Sequence, residues 1–455
     1  MSLPAGQKGK AGFRHPESIL ALGFLAVILL GAVLLSLPAA AANGQSVGWF
    51  NGLFTSASAV CVTGLVAVDT GTAFSLFGQV VLLLLIQVGG LGFMVFATMI
   101  MVALGRKISL KGRMLIRESM NASSLSDLGS LAGLYLLLSL AIELAGAVLL
   151  SFRFVPLYGW KHGMWMALFH SVSAFCNAGF DLFGGCASLT AFSGDPLVLL
   201  TVAALIILGG LGFSVILETA RNRQGFRGLS LHTRIVLMTT LALLLAGTAF
   251  YWIAERSNPE TLAGRGEGEI ALNAFFQSVT MRTAGFNSFD LSGFRDGSKL
   301  FSSLLMAVGA SPASTGGGIK TTTVAALALL MLSVVRGESE VNVARRRLSG
   351  DIVRRALAIA VLFLATLLAG TLTITLIENG RFPMEDILFE ASSAMGTVGV
   401  SSIGTPNLSP AGRAVLMPMM FLGRVGPLTL AVAVAKRQGG ARAASKYPEE
   451  RIMVG

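Results

Sequence analysis

Four short apolar segments of this chain end in glycine with small or branched residues around it: 53–64 (LFTSASAVCVTG), 168–179 (LFHSVSAFCNAG), 275–285 (FFQSVTMRTAG) and 388–399 (LFEASSAMGTVG). The closing glycines, Gly64, Gly179, Gly285 and Gly399, recur at roughly 105 to 115 residues, too long for a solenoid unit and too regular for chance. Four equal elements closing around one axis make a pore.

Hydrophobic residues form 54% of the 455 and charged residues only 13%, which excludes a water-soluble domain of this size. Apolar runs at 18–37, 74–104, 131–154, 197–217, 235–253, 300–335, 352–377 and 414–435 reach or exceed the ~20 residues that cross a bilayer. They predict eight spans. Each glycine segment lies between two of them and, at about a dozen residues, is too short to cross. It dips in and returns, as backbone does at membrane depth only inside protein or beside a water-filled cavity. The expected fold is an all-α polytopic membrane protein: four covalently linked outer helix, pore helix and inner helix repeats around one central pore. The repeats are 17–106, 129–221, 235–337 and 352–437. Cytoplasmic linkers 107–128, 222–234 and 338–351 join them, with an N-terminal arm at 1–16 and a C-terminal tail at 438–455.

Of the 34 Lys and Arg, 23 fall in those arms and linkers or at their edges, the densest cluster being Arg345, Arg346, Arg347, Arg354 and Arg355. By the positive-inside rule they are cytoplasmic, as are both termini, and the glycine segments face outward. The pI of about 10.1 is thus a topology signal. Nucleic-acid binding is excluded, since no basic stretch sits in a soluble domain with aromatics interleaved. The first apolar run is longer than the 7–15 residues of a cleaved signal, so it is read as the first outer helix. Cys61, Cys176 and Cys186 have no metal spacing and are expected as thiols, with a Cys176–Cys186 disulfide as the lesser alternative.

Pore helices whose C-termini meet at an axis aim four negative dipole ends at it, which favours a cation. The candidate filter is Val62, Thr63 and Gly64; Asn177, Ala178 and Gly179; Thr283, Ala284 and Gly285; and Thr397, Val398 and Gly399. Inward carbonyl rings there would replace the hydration shell of a weakly hydrated monovalent cation, bound at carbonyls alone. A bland alternative makes each glycine a packing residue; four at matched positions argue against it. Asp69, Asp181 and Asp290 follow three of the glycines, either as a vestibule that concentrates cations or as braces for the loops.

The glycine runs 89–92 and 209–212, each followed by Phe, are read mainly as close helix packing. The third inner helix instead carries Gly309, Ala310, Ser311, Pro312, Ala313, Ser314, Thr315, Gly316, Gly317, Gly318, Ile319 and Lys320. Proline removes a donor and each glycine costs roughly 1 kcal/mol relative to alanine, so the helix breaks there. Irregular backbone at mid-membrane lines a cavity, which makes 309–320 a candidate gate, with a static hinge as the alternative. Ile319 between glycine and lysine spoils a phosphate-loop pattern. Arg424, inside the fourth inner helix, should face the bundle interior, paired with Glu143, Glu390 or carbonyls of the broken loop, or standing as a fixed positive barrier below the filter.

This plan resembles the Trk/Ktr/HKT superfamily of potassium transporters, and most of all its bacterial Ktr-type membrane subunits. The carrying residues are the four segments through Leu65, Phe180, Phe286 and Val400, the 314–321 loop, Gly423 with Arg424, and the tail at 447–450. The resemblance implies a potassium-channel-like fold, K⁺ uptake across the bacterial inner membrane, a homodimer, a gating loop in the third inner helix and an arginine near it. It also implies a cytosolic ring of nucleotide-binding regulatory subunits, which would carry the nucleotide; no covalent cofactor is implied. Cys61 stands where many relatives have a hydroxyl. Sodium coupling occurs in the family, and no residue here is assigned to it.

A secondary carrier for another cation or an organic solute is the competing function, and it predicts two broken helices in related halves. An intramembrane enzyme is disfavoured, because no His/Cys cluster or carboxylate pair at catalytic spacing appears.

Overall fold

The computed structural model describes residues 16–92, 95, 98, 128–338, 340–343 and 346–426. The basic residues expected on the cytoplasmic side at 8–14, 106–117 and 436–451, together with Phe93 and the 447–450 tail, lie outside the described residues.

Outer helices span Pro16–Leu35, Leu128–Tyr158, Leu231–Glu255 and Gly350–Glu378. Many of their large apolar side chains face outward: Leu137, Phe152, Leu245, Ile253 and Leu376 are all exposed. The polar residues lie inside. The pore helices Trp49–Val60, Trp160–Phe175, Glu267–Thr280 and Met384–Gly396 bury serines, threonines, a histidine, a glutamine and a glutamate. Such an inverted distribution suits a lipid surround and a polar interior.

Each pore helix docks on its own outer helix. The hydroxyls of Ser56, Ser171 and Ser278 donate to the carbonyls of Ile28, Glu143 and Leu244 at 2.7, 2.6 and 2.9 Å, beside Gly31, Gly146 and Gly247 on the outer helices. A hydroxyl that meets a helix carbonyl satisfies itself in a region without water.

The inner helices are where eight unbroken spans fail. Among the described residues, three helices are long and apolar enough to cross a membrane, all of them outer helices. The first inner helix stops at Leu91 and the second is bent by 98° between Pro196–Leu211 and Phe213–Arg221. The third is split into Asp296–Ala307 and Thr321–Val335, and the fourth ends at Val425. Gly92, Gly212 and Gly426 sit at φ of 85°, 92° and 93°, a conformation open to glycine and closed to the continuing helix.

Reading 89–92 and 209–212 mainly as packing, with a single broken inner helix, is therefore corrected. Among the described residues the second and third inner helices break, and the first and fourth end at the corresponding glycines, Gly92 and Gly426. Packing is half of the story: a Cβ on Gly89, Gly209 or Gly423 would collide with the carbonyl of Val60, Phe175 or Met395 at the end of a pore helix. The break follows because the helix must pass that carbonyl and then turn away.

Candidate functional site

Three of the four segments end their pore helices with the same pair of bonds, while the third closes with Arg282 N–H on Val279 O and Ala284 N–H on Thr280 O. Val62 N–H bonds Ala59 O at 3.1 Å and Thr63 N–H bonds Ser58 O at 2.8 Å, the paired bonds of a Schellman ending. Asn177 and Ala178 repeat the pair on Ala174 and Ser173, and Thr397 and Val398 on Ala394 and Ser393. The residue at the turn is left-handed in every quarter, with φ of 56° at Val62, 58° at Asn177, 69° at Thr283 and 51° at Thr397. None of these is glycine, so the conformation costs energy that the surroundings must supply.

Two residues on, Gly64, Gly179, Gly285 and Gly399 are again positive, at 95°, 69°, 84° and 96°; the residues between them are not. A uniform strand points successive carbonyls to opposite sides, and alternating the sign of φ turns them toward one side.

Close approach explains why the second position is glycine. A Cβ on Gly64 would lie 2.5 Å from Ala178 O, on Gly179 2.8 Å from Ala284 O, and on Gly285 2.5 Å from Val398 O; on Gly399 it would collide with Thr63 O. First touches second, second touches third, third touches fourth and fourth touches first. The four segments thus form a closed ring.

A hydroxyl behind each segment ties it back. Gly64 N–H and Gly399 N–H donate to Ser58 Oγ and Ser393 Oγ, both at 3.0 Å. Ser173 Oγ donates to Phe180 O at 2.8 Å, and Phe286 N–H donates to Thr280 Oγ1 at 2.9 Å. The Asn177 amide also faces the Thr283 hydroxyl at 3.1 Å. With its oxygen toward that hydroxyl, its nitrogen donates to Ile206 O and Ala174 O. Cys61 is the buried cap of the first pore helix, one residue before Val62.

The segment 308–320 is non-helical and reaches every quarter. Thr315 N–H donates to Gly209 O at 3.2 Å and Thr315 Oγ1 to Phe175 O at 3.0 Å, both in the second quarter. Gly316 packs on the Thr283 hydroxyl, and Gly317 N–H donates to Thr397 Oγ1 at 3.1 Å. Lys320 Nζ folds back onto Gly316 O at 2.8 Å. Further along, Ser311 N–H meets Gly210 O at 3.0 Å and Ala313 O accepts from Phe213 N–H at 3.1 Å. Arg424 completes the set by donating to Thr315 O and to Gly89 O and Gly90 O of the first quarter. Hydrogen-bonded to the second and fourth quarters, packed on Thr283 of the third and joined to the first through Arg424, the loop sits among the pore-helix ends and not at the rim.

Of the partners considered for Arg424, carbonyls are the ones it finds. Glu143 instead accepts from Gln87 Nε2 at 3.0 Å, and Glu390 from Ser401 and Thr405. Carbonyl acceptors carry partial charge only, so the guanidinium remains a cation below the ring.

Asp69, Asp181 and Asp290 each brace a loop. Asp69 caps the turn Thr70–Ala73 through Thr72 N–H and Oγ1, both at 2.8 Å, and its other oxygen accepts from Cys186 N–H at 2.6 Å. Asp181 accepts from Phe183 N–H at 3.0 Å, and exposed Asp290 from Ser292 N–H at 2.9 Å. All three cysteines are free thiols, Cys176 buried and Cys186 exposed, so the lesser alternative of a disulfide is not realised. Two buried cations escaped sequence reasoning: Arg282, before the third filter segment, and Lys299, paired with Asp386 at 2.8 Å. Neither carried a signal beyond its charge within an apolar region.

Residues 7–443 match the family model for TrkH, a cation transport protein. The chain is 42% identical to Ktr system potassium uptake protein B of Bacillus subtilis and 41% to that of Vibrio alginolyticus. These matches cover 97% and 100% of this chain and 97% and 98% of the relatives. It is 36% identical, over 97% of each chain, to the potassium/sodium uptake protein NtpJ of Enterococcus hirae. The crystal structure of the potassium transporter TrkH from Vibrio parahaemolyticus superposes with a TM-score of 0.69 at 18% identity, over 94% of this chain and 86% of that one.

Proposed function

The chain belongs to the TrkH family of cation transport proteins, and on that premise we propose that it takes up potassium ions through the ring of four glycine segments. The carrying observation is the closure of that ring, each glycine against the carbonyl of the next segment. Carbonyls held this way replace a hydration shell without a fixed charge, which suits K⁺. Four pore-helix dipoles supply the negative potential, and transport follows the membrane potential with no covalent chemistry.

The gate is the 309–320 loop with Arg424, which lies across the axis beneath the ring. Opening it breaks hydrogen bonds to the first, second and fourth quarters, so a partner that acts on the cytoplasmic side can hold either state. The Ktr-type relatives support a regulatory component. A homodimer in the bacterial inner membrane, with a nucleotide-binding ring on its cytoplasmic face and both termini on that side, is the assembly we propose. Likeness to a potassium/sodium uptake protein adds sodium dependence to what must be measured. Four matched pore segments, with glycine endings or breaks in every inner helix, instead of two broken helices in related halves, weigh against a carrier.

Proteoliposomes that contain the chain, or a variant with a shortened 309–318 loop, should accumulate rubidium under a negative-inside potential, competed by K⁺ and far less by Na⁺. No rubidium uptake by either protein would overturn the proposal, as would equal competition by Na⁺.

A further inference from the structure

The third residue of each glycine segment occupies one matched place behind the filter: Thr55, His170, Gln277 and Glu390. All four are fully buried. Their partners differ. Thr55 Oγ1 and both amide atoms of Gln277 have no hydrogen-bond partner among the described residues. His170 Nε2 accepts from Leu182 N–H at 3.2 Å, with Nδ1–H on Met166 O at 2.7 Å. Glu390 is held most firmly, its two oxygens accepting from Ser401 Oγ at 2.6 Å and Thr405 Oγ1 at 2.5 Å.

The fourth quarter differs in a second way. No aspartate follows Gly399 where Asp69, Asp181 and Asp290 follow the other glycines; Ser401 and Ser402 stand there. The acids come from the pore helix instead. Asp386, one turn before Glu390, accepts from Ser402 Oγ at 2.7 Å and from Lys299 Nζ at 2.8 Å. Lys299 belongs to Asp296–Ala307, the helix that runs into the 309–320 loop. Two carboxylates on one helix face therefore grip consecutive residues just beyond Gly399.

A buried carboxylate is costly unless hydrogen-bonded, and removing its partners is costlier than never having buried it. That expense fixes Ser401 and Thr405 relative to the pore helix. Gly399 N–H is tied to the same helix through Ser393, so the segment is clamped on both sides of Val398 and Gly399. Carbonyl rings discriminate between ions through the positions and number of their oxygens, and a site held by locked supporting groups keeps its geometry.

We propose that Glu390 is the positioning residue that sets K⁺ over Na⁺ discrimination in the fourth quarter, acting through Ser401 and Thr405, with His170 as its counterpart in the second. This rests on reading the ring as the filter. Glu390 itself touches no transported ion.

The test is rubidium uptake into proteoliposomes, with inhibition measured for K⁺ and Na⁺, on Glu390→Ala, Glu390→Gln, Glu390→Leu and the double variant Ser401→Ala with Thr405→Val. Gly285→Ser serves as the filter reference and Glu267→Gln, in an exposed ion pair, as the control. Glu390→Ala, Glu390→Leu and the hydroxyl double variant should each reduce the K⁺/Na⁺ ratio at least about tenfold, and adding Glu390→Ala to the double variant should cost little more. Glu390→Gln, which keeps an acceptor and adds a donor the hydroxyl oxygens can accept, should restore most of the ratio. A merely space-filling role predicts that leucine equals wild type, and that result overturns the proposal. If Glu390→Ala fails to fold, the hydroxyl double variant decides alone. A changed ratio in Gly285→Ser beside an unchanged one in the Glu390 and hydroxyl variants overturns this inference and leaves the filter standing. No change in any of them overturns both.

Discussion

At the scale of the residue, the filter depends on a conformation its side chains resist. Valine, asparagine and two threonines hold left-handed φ values, and the glycines beyond them have no space for a methyl group. Gly179→Ser and Gly285→Ser should relax K⁺/Na⁺ discrimination while the protein stays in the membrane; an unaltered ratio in the rubidium assay would remove those glycines from the filter. Asp69 offers a test of bracing. Burial alone would push its carboxyl up, but the Cys186 N–H with the Thr72 hydroxyl and N–H holds it below the usual carboxylate value. With the folded-state value depressed, the contribution is present above the ordinary aspartate value and lost as pH falls through the folded one. Asp69→Asn should lower the stability of the solubilised protein by about 1 kcal/mol at pH 7, a gap that closes on acidification. A gap of the same size at both pH values, followed by thermal unfolding, would exclude the carboxylate as its source.

At the scale of the element, the breaks in the inner helices matter most. Proline and three glycines announced the third in the sequence. Those at Gly92 and Gly212 were legible only as packing, because a glycine that lets two helices approach and one that ends a helix are the same letter. What separates them is the pore-helix carbonyl at Val60 or Phe175, a neighbour about thirty residues away in sequence. Partners of buried charges were hidden for the same reason: Arg424 was visible as an expensive residue, and its choice of Thr315, Gly89 and Gly90 carbonyls over Glu143 depends on packing. The loop at 309–318 carries the element's prediction. Shortening it should raise rubidium flux and reduce its response to the cytoplasmic regulator, and a folded variant with wild-type flux would make the segment a hinge.

At the scale of the molecule, four repeats, their order and the outward-facing apolar helices followed from periodicity, because a fourfold pattern admits few closed arrangements. What periodicity concealed is how unequal the quarters are. One inner helix is split by a loop, one supplies a cation, and the fourth pore helix buries an acid, Glu390, where the others have Thr55, His170 and Gln277. The rubidium assay belongs to this scale, since uptake needs every quarter at once. The ring of glycines also has a rotational sense. Because each glycine presses on its successor's carbonyl and not on its own, an injury to one quarter is delivered to the next, always the same way round. An ion therefore reads a misplaced oxygen one quarter away from the altered residue, and the selectivity of the pore belongs to its seams more than to its segments.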